Sequence, residues 1–372
     1  MRAFLEPHHL EMGDSLQALA ERLGRLPTPP TDEAARQQAR QILALLGQEG
    51  WLAYAVGDDV RAQCRIREAL AGASPLADAV FALQCLGSLP LALAGSEALR
   101  QRWLPAAARG EAMAAFAMTE PEAGSDVASL GTTARRDGEH YVLEGHKHLI
   151  SNAGLADFYT VFARTGPEPG HRGLSCLVVE ASTPGLRYLG PQVLSAPHPL
   201  GRLAFEGCRV PAGCLLGREG EGFQLGMRTL DRLRPTVAAA ACGMAGRALA
   251  EALAHARSRR QFGKALAEFQ LIQDKLARMS TEWTASRLLT YRAAWERDRG
   301  ADRVTLESAM AKAYACEAAQ GIVDQAVQIA GGLGVLADHP LDRLYRSVRA
   351  LRIYEGTTEI QHLIIARELL RS

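Results

Sequence analysis

The residue hardest to explain as scaffold is Glu355. It sits in RIYEGTTEIQ, residues 352–361, an acid beside Leu351, Ile353 and Tyr354 and directly before a glycine. A carboxylate drawn into apolar surroundings is costly to bury and holds its proton more tightly, so such an acid is a candidate base. Four other segments carry residues that helix and strand building do not require. Residues 116–134, FAMTEPEAGSDVASLGTTA, place Thr119, Ser125 and Asp126 among small residues, where hydroxyls and free backbone N–H groups can bind a cofactor or phosphate. A capped turn between domains accounts for them equally well. In residues 145–165, Ser151 and Asn152 interrupt an apolar strand, and a strand ending in a turn is the plainer account. His146 and His148 share a strand face, but no third ligand stands at a clear spacing, so no metal site is expected. In residues 257–270, RSRRQFGKALAEFQ, guanidinium groups surround Phe262, which suits either a solvated basic face or a pyrophosphate with a stacked ring. QIAGGLG, residues 328–334, permits close backbone approach or simply a turn between helices.

The elements that must position these groups fall into three zones. Up to about residue 115, apolar residues recur at helical spacing, with Pro27, Pro29 and Pro30 separating the first helix from the next. From 116 to 217, short β-prone runs such as HYVLEG, FYTVFAR and LSCLVVEA alternate with turn residues. From 218 to 372, long Ala-rich helical segments too apolar to stand alone predict a bundle. The expected fold is α+β with three consecutive domains, 1–115, 116–217 and 218–372.

Composition narrows the class. The chain has 372 residues, 48% of them hydrophobic and 22% charged, and its net charge of +1 provides no field to recruit nucleic acid or an anionic membrane. Seven cysteines without a C-x-x-C pair argue against a disulfide framework or structural zinc and fit a cytoplasmic protein. The N-terminus has early acids and no apolar run, unlike a signal peptide, and no stretch is expected to reach the length of a membrane span.

Taken together and in order, MTEPEAGSD, RRQFGKALAEFQ, QIAGGLG and YEGTTEIQ resemble the signatures of the acyl-CoA dehydrogenase family, and the resemblance covers nearly the whole chain. It implies an N-terminal helical domain, a middle β-barrel and a C-terminal four-helix bundle, with FAD as cofactor. It implies Glu355 as the catalytic base that removes the α-proton of an acyl-CoA while a β-hydride passes to flavin N5. Thr119 and Ser151 match flavin-ring positions, Ser151 standing where the family usually has threonine. Arg259, Phe262 and Gln270 match positions for the pyrophosphate and adenine of a neighbouring subunit's FAD, as does the loop of Gln328, Gly331 and Gly332. Thr357 and Glu359 also match FAD positions. Ser125 and Arg234 match CoA contacts, and Tyr354 and Gly356 flank the base on the substrate side. The resemblance further implies a homotetramer or dimer and an electron-transferring flavoprotein as acceptor. The family's second base position is Leu233 here, which leaves Glu355 as the one base. Leu149 stands where many members carry a tryptophan beside the flavin. Phe81 and Gln84 lie in the segment that would line the acyl pocket, where packing explains them equally well. An oxygen-using flavoenzyme on the same fold, an oxidase or monooxygenase, is the alternative activity; a non-catalytic flavin-binding relative is a third reading.

Overall fold

The computed structural model describes residues 2–196, 198–301 and 303–371. Seven helices come first: α1 (Pro7–Glu11), α2 (Gly13–Gly24), α3 (Asp32–Gln48), α4 (Leu52–Val56), α5 (Val60–Ala73), α6 (Pro75–Ala94) and α7 (Glu97–Ala108). Their starts are set by side chains that satisfy first-turn N–H groups. Thr31 accepts from Ala34 at 3.2 Å and Asp59 from Ala62 at 2.8 Å. The β segment follows as β1 (Ala114–Ala117), β2 (Thr133–Asp137), β3 (His140–Ser151), β4 (Phe158–Arg164), β5 (Leu174–Glu180), β6 (Leu186–Pro191), β7 (Leu200–Pro211) and β8 (Leu215–Leu216). The chain closes with α8 (Gly222–Ser258), a small hairpin of β9 (Arg260–Gln261) and β10 (Lys264–Ala265), then α9 (Gln270–Asp298), α10 (Thr305–Ala330), α11 (Pro340–Leu351) and α12 (Thr358–Leu369). The helical, β, helical order and the α+β class are as the sequence predicts.

One sequence expectation is corrected. Residues 75–94 form a helix long and apolar enough to cross a membrane, and so does α8, yet two thirds of each apolar stretch is buried inside the protein. They read as core helices because their apolar surface is already covered.

Contact density divides the chain into two compact units that cut across the linear order: residues 1–27, 59–78 and 231–372 form one, and 28–58 with 79–230 the other. In the first unit, alanines of α8 and α10 build most of the core with Met244, Met279, Ile322 and Leu344. Small side chains let the helices approach closely. At Gly243 of α8 an added Cβ would lie 2.0 Å from the carbonyl oxygen of Glu68 on α5, so only glycine fits the crossing.

In the second unit, eight strands form one sheet in the order β6-β7-β3-β2-β4-β5-β8, with β1 beside β4 in parallel. Alternate side chains of β3, β4 and β7, among them Tyr141, Leu143, Tyr159, Val161 and Phe205, fill one core. The antiparallel register of β3 with β7 slips between Lys147 and Ile150, then resumes with Ser151 opposite Leu200. Gln84 of α6 gives both amide hydrogens to Ala107 and Ala112 and accepts from Ala114, so packing is what occupies it. Phe81 is likewise wholly buried. All seven cysteines are free thiols, six of them buried and Cys214 partly so.

Candidate active site

Backbone strain marks the motif segments independently of their chemistry. Among the described residues, the non-glycine positions with left-handed φ are Leu149 (54°), Asn152 (62°), Phe262 (50°) and Glu355 (54°). Such conformations cost of order 1–3 kcal/mol and persist only where the surroundings enforce them, often at functional sites. All four fall within segments singled out from sequence.

Glu355 lies in the short turn between α11 and α12, followed by Gly356 at φ 92°. Its main chain is held from several directions. Its carbonyl accepts from Arg234 Nε at 3.3 Å and Gln361 Nε2 at 3.2 Å. The Gly356 carbonyl accepts from Lys312 Nζ at 2.6 Å and Gln361 Nε2 at 3.0 Å. Lys312 and Gln361 are wholly buried, and Arg234 nearly so. Thr357 caps α12 by accepting from Ile360 at 3.3 Å, which fixes the other side of the turn. The backbone is therefore tied while the carboxylate is left alone: Glu355 Oε2 is out of solvent and has no hydrogen-bond partner among the described residues. Burial raises the proton affinity of this carboxyl, opposed by the positive charges of Arg67, Lys312 and Arg234 and reinforced by Asp78. A buried carboxylate with one unpaired oxygen is equipped to accept a proton from a weak acid. Tyr354 beside it is 40% exposed as a residue, but desolvation of its phenol pushes the hydroxyl up, so it stays neutral. Leu233 is an apolar core residue.

Arg234 is neutralised by Asp231, which also accepts from Thr305 at 2.9 Å. The remaining residues of this unit singled out from sequence are open. Arg259, Gln270, Gln328, Gly331, Gly332 and Glu359 are exposed, and Phe262 is 94% exposed. A Cβ added at Gly263, Gly331 or Gly332 would meet nothing within 4 Å. An uncovered aromatic beside guanidinium groups and bare backbone fits a planar ring and a diphosphate.

In the second unit the Thr119 carbonyl accepts from His148 N at 2.9 Å, which ties the MTEPEAGSD loop to β3. Below it, Lys147 Nζ reaches Glu120 at 2.7 Å and the Met118 carbonyl at 3.0 Å in a buried ion pair. Glu120 also accepts from Gly131 at 2.7 Å and Thr132 at 3.0 Å. Ser151 is half-buried, and its hydroxyl pairs with His198 Nε2 at 2.8 Å. Burial pushes the His198 imidazole down to about 4, so it is neutral at ordinary pH. Ser125 is exposed at the loop tip, and Leu149 is half-exposed on the bulge of β3. His146 is exposed, and the His148 ring bonds Gln192 at 2.9 Å.

A different cluster, His8, His9 and Asp59, does bring three ligand-type side chains together. Its hydrogen bonding assigns it to the scaffold. His9 Nδ1 accepts from Glu6 N at 2.9 Å, so the ring proton lies on Nε2 and points at Asp59, 2.9 Å away. A protonated nitrogen has no lone pair for a metal.

Sequence reasoning missed Arg67, Asp78, Lys312, Gln361 and His198. Of these, only Lys312 carried a usable signal, a lone lysine in the otherwise small and apolar run SAMAKAYACEAA.

Family profiles described as the acyl-CoA dehydrogenase N-terminal, middle and C-terminal domains match residues 6–111, 115–208 and 220–370. The chain belongs to the acyl-CoA dehydrogenase family, is an oxidoreductase of that class, and takes FAD as its cofactor. It is 37% identical over 377 residues to the probable acyl-CoA dehydrogenase FadE25 of Mycobacterium tuberculosis, covering 99% of this chain and 96% of that one. It superposes on butyryl-CoA dehydrogenase from Megasphaera elsdenii with a TM-score of 0.89 at 32% identity, over 99% of both chains. PigA, solved with FAD and proline, is similar with a TM-score of 0.88 at 28% identity, again over 99% of both chains.

Proposed function

We propose that the protein oxidises the α,β-bond of an acyl-CoA thioester to the trans-2-enoyl-CoA, with Glu355 as the base. The observation that carries this reading is the unpaired, buried Oε2 of Glu355 on a backbone clamped by Arg234, Lys312 and Gln361. A thioester α-C–H is a very weak acid, and a dry site with fixed donors lowers the barrier to removing its proton by several kcal/mol. Burial also matches the carboxylate better to the proton it must take. FAD, when bound, supplies the hydride acceptor at N5. Thr119 and Ser151 are the proposed contacts of the second unit to FAD, and Thr357 and Glu359 further proposed FAD contacts of the first. Arg259, Phe262, Gln270, Gln328, Gly331 and Gly332 would hold the diphosphate and adenine end of a neighbouring subunit's cofactor. Ser125 and Arg234 would hold the CoA moiety, and Tyr354 and Gly356 the thioester side of the base.

The exposure of Phe262, Leu271 (79%) and Val335 (66%) supports an oligomer, a dimer or tetramer, in which a second copy covers such apolar side chains. An electron-transferring flavoprotein is the proposed acceptor. The free thiols support a reducing, cytoplasmic setting.

The test is anaerobic titration of the yellow protein with short, medium, branched, cyclic and dicarboxylic acyl-CoAs, read by flavin absorbance. One class should bleach the flavin, and Glu355→Gln should slow bleaching by about a thousandfold. Flavin that no acyl-CoA bleaches, but that is reoxidised rapidly by O₂ after chemical reduction, would favour the oxygen-using reading instead.

A further inference from the structure

Glu355 must be ionised to act, yet its unpaired oxygen is shut away from water. The charges that act on its carboxyl, Arg67, Asp78, Arg234 and Lys312, belong to four elements of its own unit. Arg234 of α8 and Lys312 of α10 spend hydrogen bonds on the main chain of the turn, and Asp231 neutralises Arg234. Arg67 of α5 is different. Only 2% exposed, it grips Asp78 of α6 with Nε–Oδ1 at 2.8 Å and Nη2–Oδ2 at 2.9 Å, and its Nη1 donates to Thr236 Oγ1 at 3.0 Å. Thr236 stands two residues beyond Arg234 on α8. One short stretch of helix thus carries both the anchor of Arg67 and a donor to the Glu355 carbonyl. Asp78 is equally buried at 2% exposure. A buried ion pair is a poor way to hold helices together, since apolar side chains of similar volume often do so better.

We infer that Arg67, locked in place by Asp78 and Thr236, is a positioning residue that sets how tightly Glu355 holds a proton, with Asp78 as its counterweight. This rests on the reading of Glu355 as the base. The electrostatics agree with the geometry. After burial, which pushes the Glu355 carboxyl up, Arg67 is the largest opposing influence, ahead of Lys312 and Arg234, and Asp78 pushes it up again. Arg67 in turn is coupled first to Asp78, then to Tyr354 and Glu355. The Cys316 thiol, on which the Glu355 charge also acts, is held neutral by burial.

The two partners therefore act on the base with opposite signs, which a purely structural pair would not do. Asp78→Asn keeps the shape and frees the full charge of Arg67, so the Glu355 carboxyl should hold its proton less tightly. Arg67→Met removes the opposing charge, so the proton should be held more tightly. The experiment is the pH dependence of flavin bleaching in the holoenzyme, using whichever acyl-CoA reduces the wild type. The acidic limb should move down by about one pH unit in Asp78→Asn and up by about one in Arg67→Met, with Arg67→Lys returning most of the way. Thermal unfolding of each variant separates loss of fold from loss of tuning. Should Arg67→Met fail to fold, Asp78→Asn still decides the sign, and an unmoved or upward limb overturns the inference. Limbs that both move one way, with Glu355→Gln inactive, overturn it while leaving the base in place. If Glu355→Gln bleaches at the wild-type rate, the reading of the base falls, and this inference with it.

Discussion

The turn that carries Glu355 and the end of β3 that carries Ser151 both contain left-handed non-glycine residues, yet they are held by different means. At the turn the strained residue is the chemical group itself, and its carbonyl and the next are gripped by the side chains of Arg234, Lys312 and Gln361. At β3 the strained residues, Leu149 and Asn152, bracket the hydroxyl, and the sheet does most of the holding. Ser151 pairs with Leu200 in register, Asn152 N donates to the Pro199 carbonyl at 3.0 Å, and Asn152 Nδ2 donates to Ala114 at 3.0 Å. Arg36 completes the frame by donating to the Ala153 and Leu200 carbonyls at 2.7 and 3.0 Å. A hydroxyl can be aimed by a ladder because it is neutral. A carboxylate that must change charge needs neighbours whose charges are fixed, and the first unit supplies them from distant helices.

If that contrast holds, disturbing the two regions should have different signatures. The largest stability effect is expected from Lys147→Met, which strands the Glu120 carboxylate under β3 and should destabilise the protein by about 3–5 kcal/mol in urea unfolding. Lys312→Met should cost less stability, about 1–2 kcal/mol, because Gln361 still serves the Gly356 carbonyl. Its flavin bleaching rate should nevertheless fall by roughly tenfold or more, since a loosened base loses its near-attack geometry. Wild-type bleaching in Lys312→Met would break the comparison. Asn152→Ala removes a buried donor from Ala114 and places alanine at a left-handed φ; about 1–3 kcal/mol should be lost, with Asn152→Gly recovering the backbone part. A smaller effect is expected with pH. Burial pushes the Glu120 carboxyl up, but Lys147 and the hydrogen bonds from Thr132 and Gly131 outweigh it and leave it below its ordinary 4.5. A carboxyl lowered in the folded state stabilises above its unfolded value and loses that contribution as pH falls. Urea midpoints should therefore drop below about pH 4.5, and the drop should be shallower in Glu120→Gln.

Much of this was legible in the sequence. Glu355 stands out because an acid between apolar residues and before glycine has no scaffolding reason to be there. The order of helical and β zones follows from hydrophobic period and turn residues, and the motifs carry the family. The tuning groups were not legible for two physical reasons. Arg67 and Thr236 are 169 residues apart, and Lys312 and Gly356 are 44 apart, so their pairing exists only after folding. Arg67 also sits in CRIREALAG, which reads as an ordinary helix with a charged face. The compact units were hidden for a related reason. Helices α1, α2 and α5 belong with residues 231–372, whereas α3, α4 and α7 belong with the sheet, and no break in composition records that division. The expectation that no stretch reaches membrane-span length failed on α6 and α8, whose apolar residues run long enough although most of them are covered by the protein itself.

The free cysteines have a practical corollary. Burial pushes the thiols of Cys64, Cys176, Cys242 and Cys316 upward, so at neutral pH almost none is present as the reactive thiolate. Cys64, Cys242 and Cys316 lie in one compact unit, and Cys85, Cys176, Cys208 and Cys214 in the other. A buried thiol is alkylated only in the moments when its surroundings open. Pulsed labelling read by mass spectrometry would then time the breathing of each unit separately, using probes already in the chain.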